Sequence, residues 1–354
     1  KIVILDQQKE HGDKQFRCQL LSYRDTEDIA FGVRNKFDFI AAPLCDISAV
    51  AREAEDPQEY MVAALKEAVN SVMALPGVRA NKTKLLFKLK TAHDIFFLDQ
   101  VLEACHGVIL SRSQLTLSIP IEQVAPLQKR VAARCNALMK PLVVMNHVLG
   151  SMVKQPQPSR SEATDVANLV LDGVHCLCIT APVACGTRPV QVVDMLRRIC
   201  RETELDLNYR SHYITQRNAQ IQRQSLTKAA RAAHLRVDSL ASGAAKLAWD
   251  LEASAIIIFS DTGKTVQRVA LYRPHCQLIA ITSDERVARQ LQLTFGTWPI
   301  VVGSVQDADA ITDHVVSVLR PKKVLVSGDY LVRISGVLAE KGATSDHLSV
   351  FQVP

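Results

Sequence analysis

A chain of 354 residues that is 48% hydrophobic can bury a large core and is long enough for two domains. Its net charge of +6 is spread along the chain with no basic run interleaved with aromatics, which argues against nucleic acid as a partner. No stretch reaches the ~18 apolar residues of a membrane helix, no leader peptide is recognisable, and nine cysteines without a CxxC pair read as reduced thiols, so a cytoplasmic setting is expected.

The first 22 residues offer one short apolar strand, IVIL at 2–5, in a charged segment that cannot form a domain alone. Residues 23–37 read as a helix with Ile29, Ala30 and Val33 on one face, and FDFIAAPL at 37–44 as a buried strand. A helix at 57–75 has Leu65, Ala68, Val69 and Val72 inward, and strands follow at 85–89 and 106–110. From residue 121, Val124, Leu127, Val131, Cys135 and Leu138 recur at steps of three and four, so a helix runs to Lys140-Pro141. LVVM at 142–145 is the next strand, KQPQPSRSEA at 154–163 a polar loop, Ala163 to Leu171 a helix, and VHCLCIT at 174–180 a buried strand. Strands apolar on both faces that alternate with helices indicate a parallel sheet covered by helices. Cys176 and Cys178 share one face of their strand, where packing is favoured over metal binding because no nearby Cys or His completes a tetrahedral set.

Beyond about residue 204 the character changes. A polar helical stretch at 207–235 links the halves, and a helix from Asp238 to Leu251 follows. Then come strand 255–259, the turn SDTGKT at 260–265, a helix at 266–272, strand 277–282 and a helix at 283–293 with Ser283 as N-cap. A strand at 299–303, a helix at 311–320 and strands at 323–328, 330–336 and 347–353 close the sheet.

Several of these segments resemble the pyruvate kinase family. They are ARCN at 133–136, KPLVVMNHVLGSM at 140–152, PQPSRSE at 156–162, DVANLVLDG at 165–173 and GTRP at 186–189. The resemblance extends from about Ile29 to the end. It implies an α/β chain with a partial (β/α)8 barrel at 23–205 and a C-terminal α/β domain with a mostly parallel sheet at 206–354. Residues 1–22 would be the tail of a lid domain, with the first barrel strands and their K⁺ ligands missing. The family transfers a phosphoryl group between phosphoenolpyruvate and ADP, with Mg²⁺ and K⁺ as cofactors, and its members assemble as oligomers.

Scaffold positions match this pattern and chemical positions depart from it. The lysine placed against the moving phosphate in the pattern KIISKIEN falls on Lys88, but the metal-binding Glu falls on Lys90. ARGDLG reads SRSQLT, so Arg112 is kept while Gln114 replaces the second metal-binding carboxylate. Ser113 stands where the family glycine lets a substrate carboxylate approach backbone N–H groups. The Thr of ATQ becomes Asn146, and SGETAKG becomes TAPVACG at 180–186. A cation at 90 repels a metal, and an amide at 114 neutralises no charge. Lys88 is equally readable as a barrel-end lysine stretched toward water, and Arg112 as one half of an ion pair. His147 and His175 read as packed polar residues.

SDTGKT resembles the family's TKSGRS effector loop. The hydroxyls of Ser260, Thr262 and Thr265, the backbone around Gly263 and the charge of Lys264 would hold a sugar phosphate. A capped strand-to-helix turn is the other reading of the same residues. The family's second clamp, GWRPGSGF, reads GVLAEKGA at 336–343 and loses its Trp and Arg. Three functions stay open: a kinase of this family, a non-catalytic member that assembles with active paralogues, and a phosphometabolite-binding module.

Overall fold

A computed structural model describes residues 23–43, 83–226, 231–303, 307–321, 324–337 and 344–354. They belong to two compact units, 1–206 and 207–354. The expected strand at 2–5, the helix at 57–75 and most of the segment 336–343 lie outside the described residues.

In the first unit, α1 (Tyr23–Arg34) and β1 (Phe39–Pro43) are followed by β2 (Lys84–Leu89), α2 (Ala92–Phe96), α3 (Leu98–Ala104) and β3 (Gly107–Ser111). Then come α4 (Arg112–Leu115), α5 (Ile121–Ala137), β4 (Leu142–Met145), a 3-10 turn (Gly150–Val153) and α6 (Arg160–Leu171). The unit ends with β5 (Cys176–Cys178), α7 (Ala181–Ala184) and α8 (Pro189–Leu205). The five strands form one parallel sheet in sequential order, β1-β2-β3-β4-β5. Parallel neighbours joined through helices, each strand beside the next, are the arc of a β/α barrel.

Alternation along the strands sorts the side chains between two faces. Leu85, Phe87, Leu89, Val108, Leu110, Leu142 and Val144 pack into one core with Leu98, Val101 and Leu102 of α3 and Val131, Ala132 and Cys135 of α5. Each such side chain contributes roughly 1.5–3 kcal/mol on burial. The alternate positions Lys88, Ile109, Ser111, Val143 and Met145 therefore face the opposite, concave side.

Two expectations need correction here. The helix expected from Ala163 begins at Arg160, because Ser159 accepts from the backbone N–H of Glu162 while Glu162 accepts from that of Ser159. This reciprocal capping satisfies two N–H groups that a helix start leaves open. The strand expected over 174–180 is only three residues long and half-exposed rather than buried. Among the described strands it pairs with β4 alone.

The second unit contains α9 (Tyr209–Leu226), α10 (Arg231–Asp250), β6 (Ala255–Phe259), α11 (Lys264–Leu271), β7 (Gln277–Thr282) and α12 (Glu285–Leu291). β8 (Thr297–Val301), α13 (Ala308–Leu319), β9 (Tyr330–Val337) and β10 (Thr344–Gln352) complete it. The sheet order is β10-β9-β6-β7-β8, parallel except for the antiparallel β9–β10 pair. β6 is buried along its whole length, as a central strand covered on both faces must be.

Three local expectations fail in this unit. The helix expected from Asp238 starts at Arg231. Asp284, not Ser283, caps α12, accepting from the N–H groups of Arg286 and Val287. Residues 324–328 form no strand, because Asp329 accepts from Val326 N and returns its own N–H to Val326 O, closing a turn with Gly328 at φ +94°. A carboxylate that bonds backbone nearby competes with the ladder for the same groups.

Candidate active site

The C-terminal ends of β2, β3 and β4 bring together most of the sequence-predicted chemical residues. Lys88 lies on the concave face of β2, opposite Ile109 in the register. Lys90 follows the strand, and its N–H donates to Asp94 Oδ2 at 2.6 Å; the Thr91 N–H does the same at 2.8 Å. Burial raises the Asp94 carboxyl pKa, while these backbone bonds pull it down.

Arg112 begins α4 and is 6% exposed. Its Nη1 donates to Asp165 Oδ1 at 2.7 Å, its Nη2 to the carbonyls of Asn146 at 2.9 Å and His147 at 3.2 Å, and its Nε to the Asn146 carbonyl at 3.3 Å. The guanidinium thus ties the end of β3 to the loop after β4 and to α6. That loop is shaped to meet it: Asn146, His147 and Leu149 have φ of 73°, 55° and 50°, all left-handed without glycine. His147 itself is exposed rather than packed.

Ser111, the last residue of β3, is buried, and its Oγ lies 3.0 Å from both Gln114 Oε1 and Asn146 Oδ1. One hydroxyl carries one hydrogen, so the two amide oxygens share a single donor. Two of the residues that depart from the family pattern, Gln114 and Asn146, are therefore joined through a third. Ser113 is half-buried, and its carbonyl accepts from the Thr116 hydroxyl. Ser111, Asp94 and Asp165 were not singled out from sequence; Asp165 lay in plain view in DVANLVLDG, read there as scaffold only.

Mg²⁺ takes hard oxygen donors in a near-octahedral set that usually includes carboxylate. The mouth offers the amide oxygens of Gln114 and Asn146. The neighbouring carboxylates are turned elsewhere, Asp94 onto backbone N–H groups and Asp165 onto Arg112. No group of three His, Cys, Asp or Glu able to hold a metal occurs among the described residues. This donor set does not fit the divalent ion that the family pattern implies.

Two histidines sit where strands begin. His106 Nδ1 accepts from the Leu85 N–H at 3.1 Å, and His175 Nδ1 accepts from the Leu142 N–H at 3.3 Å. Burial, together with Lys140 and Lys84, lowers the His106 pKa to about 4.

The loop 260–265 in the second unit is built differently. It leaves the buried strand β6 and enters α11 through Gly263, whose φ is +73°. A Cβ there would sit 3.0 Å from Leu291 Cδ2, so glycine suits both the backbone and the space. The Gly263 N–H donates to Ser260 Oγ at 3.1 Å, and Ser283 Oγ donates to Asp261 Oδ1 at 3.0 Å. Thr262 and Lys264 are exposed, whereas Thr265 is buried.

Comparisons with known proteins agree with this architecture. The profile of the pyruvate kinase barrel domain matches residues 10–193, and that of the pyruvate kinase alpha/beta domain matches residues 238–351. The chain is 30% identical over 336 residues to a pyruvate kinase of Dictyostelium discoideum, covering 94% of this chain and 61% of the relative. It is 31% identical over 326 residues to one of Sporosarcina psychrophila, covering 92% and 51%. It thus spans between half and two thirds of the length of these relatives. The fold resembles the crystal structure of a pyruvate kinase from Cryptosporidium parvum, with a TM-score of 0.80 at 24% identity over 96% of this chain and 63% of that one.

Proposed function

Because the chain belongs to the pyruvate kinase family, we propose that it is a non-catalytic member, folded like its relatives but unable to transfer a phosphoryl group from phosphoenolpyruvate to ADP at a useful rate. The observation that carries this reading is the state of the mouth. Gln114 and Asn146 are neutral amides held by Ser111, Lys90 is a cation where the pattern has a carboxylate, and Arg112 is neutralised by Asp165. Phosphoryl transfer depends on positioning and on charge that offsets the developing negative oxygens. Each lost stabilising group typically costs ~2.7–4 kcal/mol, so two leave little activity. Lys88 remains as the phosphate-side cation, and Ser113 as a backbone donor to a carboxylate.

The test is a coupled lactate dehydrogenase assay of the purified chain with phosphoenolpyruvate, ADP, Mg²⁺ and K⁺. We expect a rate about a thousandfold or more below ordinary kinases. A rate within about tenfold of them overturns the reading.

The left-handed Gly263 at the start of α11 favours a second role, weak binding of a sugar phosphate at 260–265. The exposed Val190, Val193 and Leu205 of α8 favour assembly with other subunits of the same fold.

A further inference from the structure

We propose that the concave face of the first unit carries a site for a soft monovalent metal ion, Cu(I), held by the thiols of Cys176 and Cys178 on β5 and the thioether of Met145 on β4. Strand geometry brings the three sulfurs together. Leu177 and Ile179 pack against the core formed with Val166 of α6 and Val192 of α8. Cys176 and Cys178 alternate with them and so share the opposite face. The same alternation puts Val144 in the helix-side core and Met145 on the concave side. The ladder pairs Val143 with Cys176 and Met145 with Cys178, so the thioether and the second thiol stand on neighbouring strands at one level. Paired strands lie ~4.8 Å apart, and residues two apart along a strand about 6.6 Å. A cysteine sulfur is one atom beyond Cβ, so the backbone nearly fixes where it lies. Two bonds of ~2.3 Å to one ion span thiolates up to ~4.6 Å apart. Rotation about χ1 leans the two sulfurs together over that difference, and the unbranched Met145 side chain adapts to meet them.

Both thiols are free and half-exposed. Burial, and after it the neighbouring Cys178, raises the Cys176 thiol pKa, so each sulfur feels the charge of the other. A cation shared between them removes that repulsion. Their own contacts are long: Cys176 Sγ lies 4.0 Å from the Leu177 carbonyl and Cys178 Sγ 3.7 Å from that of Ile179. A thiol is a weak donor, so these contacts are readily given up. Zinc asks for four donors, and among the described residues no three His, Cys, Asp or Glu gather to hold a metal. Cu(I) is satisfied by two or three soft ligands, and thiolates with a thioether are the set that selects it. One Cu(I) and two thiols give a singly negative bis-thiolate complex and release two protons.

The test is anaerobic competition for Cu(I) between the reduced full chain and bicinchoninate, followed by X-ray absorption of the loaded protein. We expect one ion retained per chain, in a shell of sulfur alone at ~2.3 Å. Cys176→Ser and Cys178→Ser should each weaken retention about a hundredfold and Met145→Leu about tenfold. Cys185→Ser, at an exposed cysteine of α7, should change nothing. Circular dichroism melts of the metal-free variants confirm that each is folded, and Cys178→Ala replaces Cys178→Ser where the latter is not. No retained ion, nitrogen or oxygen in the shell, or retention unaffected by the change at Cys178 or by Met145→Leu each overturns the proposal.

Discussion

At the mouth of the first unit the working groups are side chains; in the loop 260–265 of the second they are mostly backbone. The mouth departs from the family pattern in charge while its strands keep their register, because Lys90, Gln114 and Asn146 lie outside the core of Leu85, Phe87, Leu89 and Leu110. The loop depends on a left-handed Gly263 between a buried strand and a helix start. It can lose a side chain and keep its shape. A site made of side chains can thus be altered by point substitution on an intact scaffold, whereas a site made of backbone lasts as long as its glycine does.

The largest expected effect breaks the mouth from within. Arg112→Met leaves Asp165 without its cation and the carbonyls of Asn146 and His147 without their donors. Removing one partner of a buried pair typically costs 3–5 kcal/mol, and Asp165 is one third exposed, so we expect about 3 kcal/mol by urea unfolding. A loss below about 1 kcal/mol would mean that the loop after β4 is held by something other than this guanidinium.

Acid treats both units alike and so sharpens the contrast between their sites. His106 in the first unit and His212 in the second both have their pKa lowered to about 4. Burial is the larger cause for each, followed by Lys140 and Lys84 for His106 and by Arg273 for His212. Each histidine is neutral in the fold and takes up a proton more readily when unfolded. Its contribution is therefore complete above pH ~6.5 and is lost as pH falls from there toward about 4. After allowance for partial exposure this amounts to about 2 kcal/mol per histidine. His106→Gln should flatten that part of the pH–stability curve; an unchanged curve would show that His106 is not responsible.

The smallest effect probes the loop. Gly263→Ala forces a side chain into φ +73° against Leu291. We expect about 1–2 kcal/mol lower stability and loss of any thermal shift with fructose 1,6-bisphosphate. A shift that survives the substitution would place the sugar phosphate elsewhere.

Much of the scaffold was legible in sequence because apolar periodicity is a local signal. β4, β6 and β7 occupy their expected residues, and the parallel order of the first sheet followed from strands alternating with helices. The starts of α6 and α12 were misplaced because caps compete over a few residues: Ser159 with Glu162 wins in one case, and Asp284 over Ser283 in the other. KVLVSG has the pattern of a strand, but Asp329 turns the chain instead. At the mouth, family spacing pointed to Lys88, Arg112, Gln114 and Asn146. An ion pair at Arg112 was legible, but its partner Asp165 and the link through Ser111 were not, because they join residues 53 and 35 positions apart.

The loop after β4 shows how such a mouth keeps its shape. Three left-handed residues without glycine, Asn146, His147 and Leu149, hold conformational strain on the order of 1 kcal/mol each. Leu149 is fully buried in a core with Val148, Met152, Val166, Val183 and Val192. Burying a leucine is worth ~2 kcal/mol or more, which exceeds the strain at that residue. The loop is clamped by apolar packing below it and by Arg112 beside it, like a spring held down at its foot. Its tension is balanced inside the protein, by Leu149 below and by Arg112 beside it.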